Sequence, residues 1–568
     1  MINAEICKER ILSEDYRDFI VDDLRTAFLS RINLENLCLQ EADFDYRCVY
    51  LSAAQVGTIT LEKYLYNSIP KCYAPLTMDA LEEAGILSIQ NYPTLQLKGD
   101  GILIGFLDSG INYTSPVFRN FDGSTRIAGI WDQTIHSGLP PETFVYGTEY
   151  TEDQINLALR NENPLSVVPS QDTDGHGTFA ASLAAGSEIP EEDFIGAAPQ
   201  AKIAMVKLKP PKQYLRDYYF IPNETVCYQE TDILLGLRYL TDLARRLELP
   251  LVLCITLGTN AGGLTNALPL TNLLDKYADT SNIIPVIGVG NEADKRHHFY
   301  GQITSPSETQ SVEIRAGENV SGFTMELWTF IPNILSISLT SPSGENTERI
   351  PIRSSGSTDF QFIFEGTRVT IEYRLFVKRT NFELIFFRFE NPSPGIWKLN
   401  IEPSQILDGQ YNIWLPLTEF LSGEVYFLNS SPHYTITNPG NAPRPLVVSY
   451  YDGNTDAIAL SSGRGYIINM QSFPTITAPG INVMGLTANN RYSTRSGSSI
   501  STAIAAGAAA LLLEWLIYQT GTALIDTYQI KGFLSLGALR PEGMNFPNRE
   551  WGYGQLNLYN TFEEIRQF

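Results

Sequence analysis

Asp108, His176 and Ser499 are the three residue types that together make a serine hydroxyl nucleophilic. For a hydroxyl to attack, its proton must leave, so an imidazole has to lie within hydrogen-bond reach. A carboxylate must then hold that ring in the right tautomer and stabilise it once charged. Asp108 ends GILIGFLDSG, an apolar run of the kind that delivers a side chain to the carboxyl edge of a parallel sheet. Taken alone, Asp-Ser-Gly is more often a turn with a helix cap. Of the five histidines, His176 stands apart in DTDGHGTFAASLAAG, with glycine on both sides and small residues behind it. Flanking glycines permit close backbone approach; the plain alternative is a histidine at a helix start capped by Thr173 or Asp174. Ser499 lies in SGSSISTAIAAGAAALLL, where the N–H groups of a helix start favour an oxyanion beside the hydroxyl. Ser498 or Ser501 as an N-cap is the plain reading there. Asn291 closes NIIPVIGVGN and offers a side-chain N–H to the oxyanion of a tetrahedral intermediate. His297 and His298, in DKRHHF, read as an exposed loop pair with no third ligand for a metal.

Residues so far apart in sequence need a sheet to gather them. GILIGFLDSG, AKIAMVKLK, PLVLCITLG and NIIPVIGVGN are continuous apolar runs, the pattern of strands buried on both faces of a parallel sheet. TDILLGLRYLTDLARRL places Ile233, Leu234, Leu237, Leu240, Leu243 and Ala244 on one helical stripe. This alternation predicts a doubly wound α/β core over 97–303 and 431–568. Residues 1–96 read as a small α+β unit with its own core, with short strands at CVYLS and ILSIQNY and an extended end, YPTLQLKGDG. Residues 304–430 carry β-branched and aromatic runs with turn signals between them, which predicts a β-sandwich or jelly roll inserted into the α/β core. Its Trp328 and Trp397 read as core and not as a carbohydrate-binding surface.

The chain has 568 residues, and Lys+Arg of 40 against Asp+Glu of 63 gives a net charge of −23. Such a balance repels phosphate backbones and anionic lipid, which argues against a nucleic-acid partner. No run approaches the roughly 20 apolar residues of a bilayer span, so no membrane span is expected. The opening MINAEICKERILSEDYRDF shows no secretory signal, so synthesis in the cytoplasm is expected. The six cysteines include no CxxC pair and suggest neither a zinc site nor a disulfide framework. Cys254, inside an apolar run, reads as a small buried hydrophobe.

LDSGI, DGHGT, GVGNE and SGSSISTA occur in the order Asp, His, Asn, Ser, and in this the chain resembles the subtilase family. LCITLG resembles that family's substrate-binding edge strand, TITAPGINV the strand leading to the nucleophile, and WGYGQLNLYNTF its closing segment. The resemblance implies a serine endopeptidase with Asp108, His176 and Ser499 as triad, Asn291 as oxyanion donor and Thr256, Leu257 and Gly258 as substrate strand. It implies no cofactor; calcium is frequent in the family, but no loop here is dense enough in carboxylates to assign a metal site. Gly497-Ser498-Ser499 stands where the family usually has Gly-Thr-Ser, and Thr502 and Ala503 where it commonly has a proline.

The long β insertion after Asn291, the amino-terminal unit and SISTAIAAG further resemble the Csp germination proteases of clostridial spores. Those proteins carry a prodomain and a jelly-roll insertion and act on the precursor of a spore-cortex-degrading hydrolase. The resemblance implies a protein substrate such as a cortex hydrolase zymogen, with the chain's own prodomain and other Csp-like proteins as partners. It also implies a place in the spore cortex or coat. A prodomain would lay its extended end against Thr256–Gly258, with self-cleavage within Tyr92–Lys98 and best at Gln96–Leu97. Some Csp members have lost triad residues, so the rival reading is a pseudoprotease that binds a partner or a germination signal.

Overall fold

The computed structural model describes residues 4–21, 38–44, 46–75, 83–263, 268–350, 354–465 and 474–567. Its centre is a nine-stranded sheet. From edge to edge run Ala457–Ile458, Leu446–Asp452, Ile283–Gly288, Leu251–Ile255, Leu103–Asp108, Lys202–Lys207, Ile127–Asp132 and Thr148–Thr151, with Ile476–Pro479 also paired to Leu446–Asp452. Interior pairs are parallel, and Thr148–Thr151 and Ala457–Ile458 close the edges antiparallel. Leu103–Asp108, first of these in the chain, lies between two strands that come later. The chain therefore winds outward from it both ways, and side chains at its carboxyl end face the crevice where such sheets hold ligands.

Alternation along Leu103–Asp108 decides which helix covers which face. Leu103 and Leu107 pack with Ile233, Leu237 and Leu240 of the helix Glu230–Leu247, whose predicted stripe is buried. Ile104 and Phe106 turn to the other face, against Ala181 of the helix His176–Ala185 and Ala505 and Ala508 of the helix Ser498–Glu514. Small residues let these two helices lie close to the sheet. The second continues to Gln519 and, contrary to expectation, is long and apolar enough to cross a bilayer, with a mean hydropathy of 1.8. Its most apolar window is 83% buried inside the fold, so it is the core helix of the sheet.

The amino-terminal unit differs from expectation in its packing. Tyr16–Val21, Arg47–Ser52 and Cys38–Glu41 form a three-stranded antiparallel sheet, and among the described residues its buried side chains fall in cores shared with other parts of the chain. Ile20, Cys48 and Tyr50 share a core with Leu103 and Ile233, while Phe19 and Val49 share one with Trp328 and Leu384 of the insertion. ILSIQ is a helix, Ile86–Gln90, and Ala84, Ile86, Ile89 and Leu97 pack into the main core. Cys7 and Cys38 are joined as a disulfide, which the spacing did not suggest.

The insertion forms a six-stranded and a four-stranded antiparallel sheet with a shared core. His298–Gln302 already pairs with Gln410–Trp414, so the inserted sheets begin before Thr304. Trp328 and Trp397 are buried, the first against the amino-terminal unit and the second between the two sheets.

Candidate active site

The sheet and its two small-residue helices bring Asp108, His176 and Ser499 into one hydrogen-bonded row. His176 Nδ1 lies 2.8 Å from both carboxylate oxygens of Asp108, and Nε2 lies 3.0 Å from Ser499 Oγ. All three side chains are buried. Each is set by its own element: Asp108 ends a strand, His176 is the first residue of its helix, and Ser499 is the second residue of the core helix. Close approach demands Gly177, because a Cβ there would meet Gly110 O at 2.2 Å and Asp108 Cβ at 2.9 Å. The N-cap position of the histidine helix is Gly175, and the amides around it are satisfied by Asp172, which the sequence did not offer, and by Asp174, which it did. Asp172 Oδ1 accepts from Gly175 N at 2.8 Å, and Oδ2 accepts from Thr178 N at 2.9 Å and Thr178 Oγ1 at 2.6 Å. Asp174 Oδ1 accepts from His176 N at 3.2 Å.

Burial alone would push the Asp108 carboxyl up. The neighbouring His176 charge and hydrogen bond, with donors from Ser109 N and Thr256 Oγ1, outweigh it and hold the carboxyl below its ordinary value. A carboxylate kept ionised without water can fix the imidazole with Nδ1 protonated, leaving Nε2 to accept the serine proton.

Asn291 stands at the same rim. Its Oδ1 accepts from Ser498 N at 3.0 Å, and Ser498 Oγ accepts from Gly290 N at 3.1 Å. The amide is thereby tied to the start of the serine helix by its oxygen, which leaves Nδ2 as the arm able to donate.

Leu257 and Gly258 form an edge already in use. They pair antiparallel with Cys72–Pro75, Leu257 opposite Pro75 and Gly258 opposite Ala74. On its other side Cys72–Pro75 pairs with Tyr228–Gln229. A Cβ on Gly258 would meet Thr437 Oγ1 at 2.5 Å, so the edge there has to be glycine.

These placements correct two expectations. The segment laid on the substrate strand is Cys72–Pro75, not Tyr92–Lys98. Lys98 N and Gly99 N donate to Glu514 at 3.0 and 2.7 Å, at the far end of the helix whose second residue is Ser499, roughly 22 Å along its axis. Leu97 is buried in the main core, so Gln96–Leu97 does not reach the row. His297 and His298 are also buried. His297 Nδ1 lies 2.7 Å from Glu292 Oε2, and His298 joins the inserted sheet, where burial holds it down at about 4. Thr256, expected in the substrate strand, also turns its hydroxyl to Asp108, donating to Oδ2 at 2.8 Å. The signal was a hydroxyl side chain inside the apolar run LCITLG.

The family model described as "Subtilase family" matches residues 99–376 and 425–554. The solved structure of the Clostridium perfringens CspB protease is similar with a TM-score of 0.76 and 27% identity, over 86% of this chain and 97% of that one. Subtilisin-like protease SBT2.2 of Arabidopsis thaliana is 28% identical over 183 residues, 28% of this chain and 21% of its own length. Serine protease AprX of Bacillus subtilis is 34% identical over 107 residues, 15% of this chain and 24% of its own length. The chain thus spans about a fifth to a quarter of the length of these curated relatives.

Proposed function

Because the chain belongs to the subtilase family, we propose that it is a serine endopeptidase with Ser499 as nucleophile. The observation that carries this reading is the bridge of His176 between Asp108 at 2.8 Å and Ser499 at 3.0 Å. Ser499 Oγ attacks the scissile carbonyl as His176 Nε2 takes its proton. Asn291 Nδ2 and Ser499 N donate to the oxyanion, and His176 returns the proton to the leaving amine. Asp108 remains ionised throughout. The substrate is a protein segment bound as a strand between Tyr228–Gln229 and Leu257–Gly258.

The first substrate is the chain itself. Cys72–Pro75 runs past Gly258 and then Leu257, and so heads toward Thr256, whose hydroxyl rests on Asp108. This direction supports self-cleavage within 76–82, a stretch outside the described residues. The insertion supports retention of the cleaved unit: Glu372 accepts from Leu61 N at 2.8 Å, Glu326 from Tyr66 Oη at 2.6 Å, and Arg374 donates to Tyr64 O at 3.1 Å. The match to CspB over nearly all of that chain supports a second substrate, the precursor of a spore-cortex hydrolase, and a spore-associated location.

Purified wild type is expected to yield a new amino terminus between residues 77 and 83, and Ser499→Ala to remain full length. Peptidase activity should fall about a million-fold in that variant, the loss that the same removal brings in subtilisin. A new terminus at Leu97 would overturn the register argument. A folded wild type with no peptidase activity would leave the pseudoprotease reading.

A further inference from the structure

Arg495 is a cation beside the catalytic row that the mechanism does not use. It ends the strand Tyr492–Arg495, four residues before Ser499, in a hairpin with Val483–Leu486. That hairpin rests on the histidine helix: Leu486 N donates to Ser182 Oγ at 3.1 Å, and a Cβ on Gly485 would meet the Phe179 ring at 2.2 Å. The guanidinium carbon of Arg495 lies 5.3 Å from the centre of that ring, about one helical turn on from His176. A Cβ on Gly175, the residue before His176, would lie 3.7 Å from Arg495 Nη2. Arg495 is half-buried, and among the described residues no carboxylate is ion-paired with it. Asp174, on the same rim, accepts from His176 N at 3.2 Å instead.

We propose that Arg495 selects substrates with an acidic side chain close after the scissile bond. This selectivity rests on the endopeptidase reading, which also fixes its direction. Cys72–Pro75 comes to the row past Gly258 and Leu257, so the segment before the bond occupies that side. His176 returns its proton to the leaving amine, so the segment after the bond starts at His176 and runs out past Gly175, where Arg495 stands. A guanidinium presents a fork of donors that matches a carboxylate, and a half-buried pair is screened less than one in open water. The chain carries the complement in its own sequence. Beyond Pro75 it reads Leu76-Thr77-Met78-Asp79-Ala80-Leu81-Glu82-Glu83, with three acids and no base. Wherever the cut falls within 76–82, an acid stands among the first three residues after it.

Stacking on Phe179 would by itself make Arg495 a brace for the histidine helix. The two roles differ in what they change. A contact with the leaving segment is made in the bound substrate and in the transition state alike, so its loss raises KM for acidic substrates. Loss of a brace lowers kcat whatever the substrate.

The test uses full-length wild type, Arg495→Gln, Arg495→Lys and Arg495→Glu, with peptides that copy residues 70–86 either unchanged or with D79N, E82Q and E83Q together. Wild type is expected to cleave the unchanged peptide with a kcat/KM about tenfold higher, the size of a charged hydrogen bond, and with the difference in KM. Arg495→Gln should cleave the two peptides equally, and Arg495→Lys should keep most of the preference. Arg495→Glu should instead favour a peptide with D79K, E82K and E83K. Equal cleavage of the first two peptides by wild type would overturn the proposal. So would a preference that survives in Arg495→Gln, or a kcat that falls in that variant by the same factor on both peptides. Cleavage of neither peptide by wild type would strike the endopeptidase reading, and uncut Ser499→Ala then decides the role of Arg495. There, nicking of residues 76–83 by an added protease should rise about tenfold with Arg495→Gln, and no further when D79N, E82Q and E83Q are added. Nicking that Arg495→Gln leaves unaltered would overturn the proposal, as would effects of the two sets of changes that simply multiply.

Discussion

Among the described residues, two buried histidine–carboxylate pairs invite comparison, and the first of them faces a serine. His176 meets Asp108 at 2.8 Å at the rim of the central sheet; His297 meets Glu292 at 2.7 Å where the insertion leaves the core. Their chemistry is otherwise parallel. In each, burial raises the carboxyl while the histidine and added donors bring it down below its ordinary value. Each carboxylate even takes a threonine hydroxyl, Thr256 at 2.8 Å and Thr418 at 3.1 Å. What separates them is the neighbour on Nε2. His176 faces Ser499 at the start of a helix, whereas Glu292 joins Asn260 of the core to Thr418 of the insertion. A perturbed, buried ion pair therefore marks a strong joint as readily as it marks a reacting group.

Asparagine at Asp108 breaks this parallel most sharply. Asp108→Asn keeps the packing but favours the wrong imidazole tautomer, and kcat should fall about 10,000-fold, measured on a peptide substrate and as self-cleavage. Glu292→Gln, the equivalent change in the other pair, should leave cleavage at the wild-type order. It should instead lower stability by about 2 kcal/mol, read as an earlier unfolding transition on heating or in urea. Equal loss of activity in both variants would mean that the insertion joint also holds Asn291 in place, and the contrast between joint and site would fail.

This contrast also explains what the sequence could and could not disclose. The row Asp108, His176, Ser499 was legible because each residue sits in a local pattern, an apolar strand end, a glycine-flanked helix start or an Ala-rich helix, and because their order along the chain adds information. The doubly wound core was legible from runs such as GILIGFLDSG, whose apolar character follows from burial on two faces. The role of Thr256 was less visible, since one hydroxyl in LCITLG does not say which way it points. His297 reads as a loop residue because its partner, Glu292, is polar and near in sequence, and burial of such a pair depends on sheets closing over it from more than a hundred residues away. The cleft strand was misplaced for a related reason: Cys72–Pro75 has no pattern of its own, and its identity comes from pairing with Leu257–Gly258 and Tyr228–Gln229.

Removal of the two threonine hydroxyls gives the finest test of the comparison. Thr256→Val and Thr418→Val each delete one donor to a buried carboxylate, an effect of roughly 1.5 kcal/mol. Both carboxylates have folded values below their unfolded ones, about 3.9 for Asp and 4.3 for Glu. Stability from such a group is present above the unfolded value and is lost as pH falls through the folded one. Loss of a donor to the charged form raises the folded value, so both variants should begin acid unfolding at a higher pH than wild type, within the window below about pH 4. At neutral pH the two part. Thr256→Val loosens the group that orients His176 and should lower kcat about tenfold with KM little changed, since no substrate contact is removed. Thr418→Val touches only the joint and should leave kcat unaltered. A matched fall in kcat would show the two carboxylates to be coupled through Asn291, whose amide lies between Glu292 in sequence and Ser498 in space.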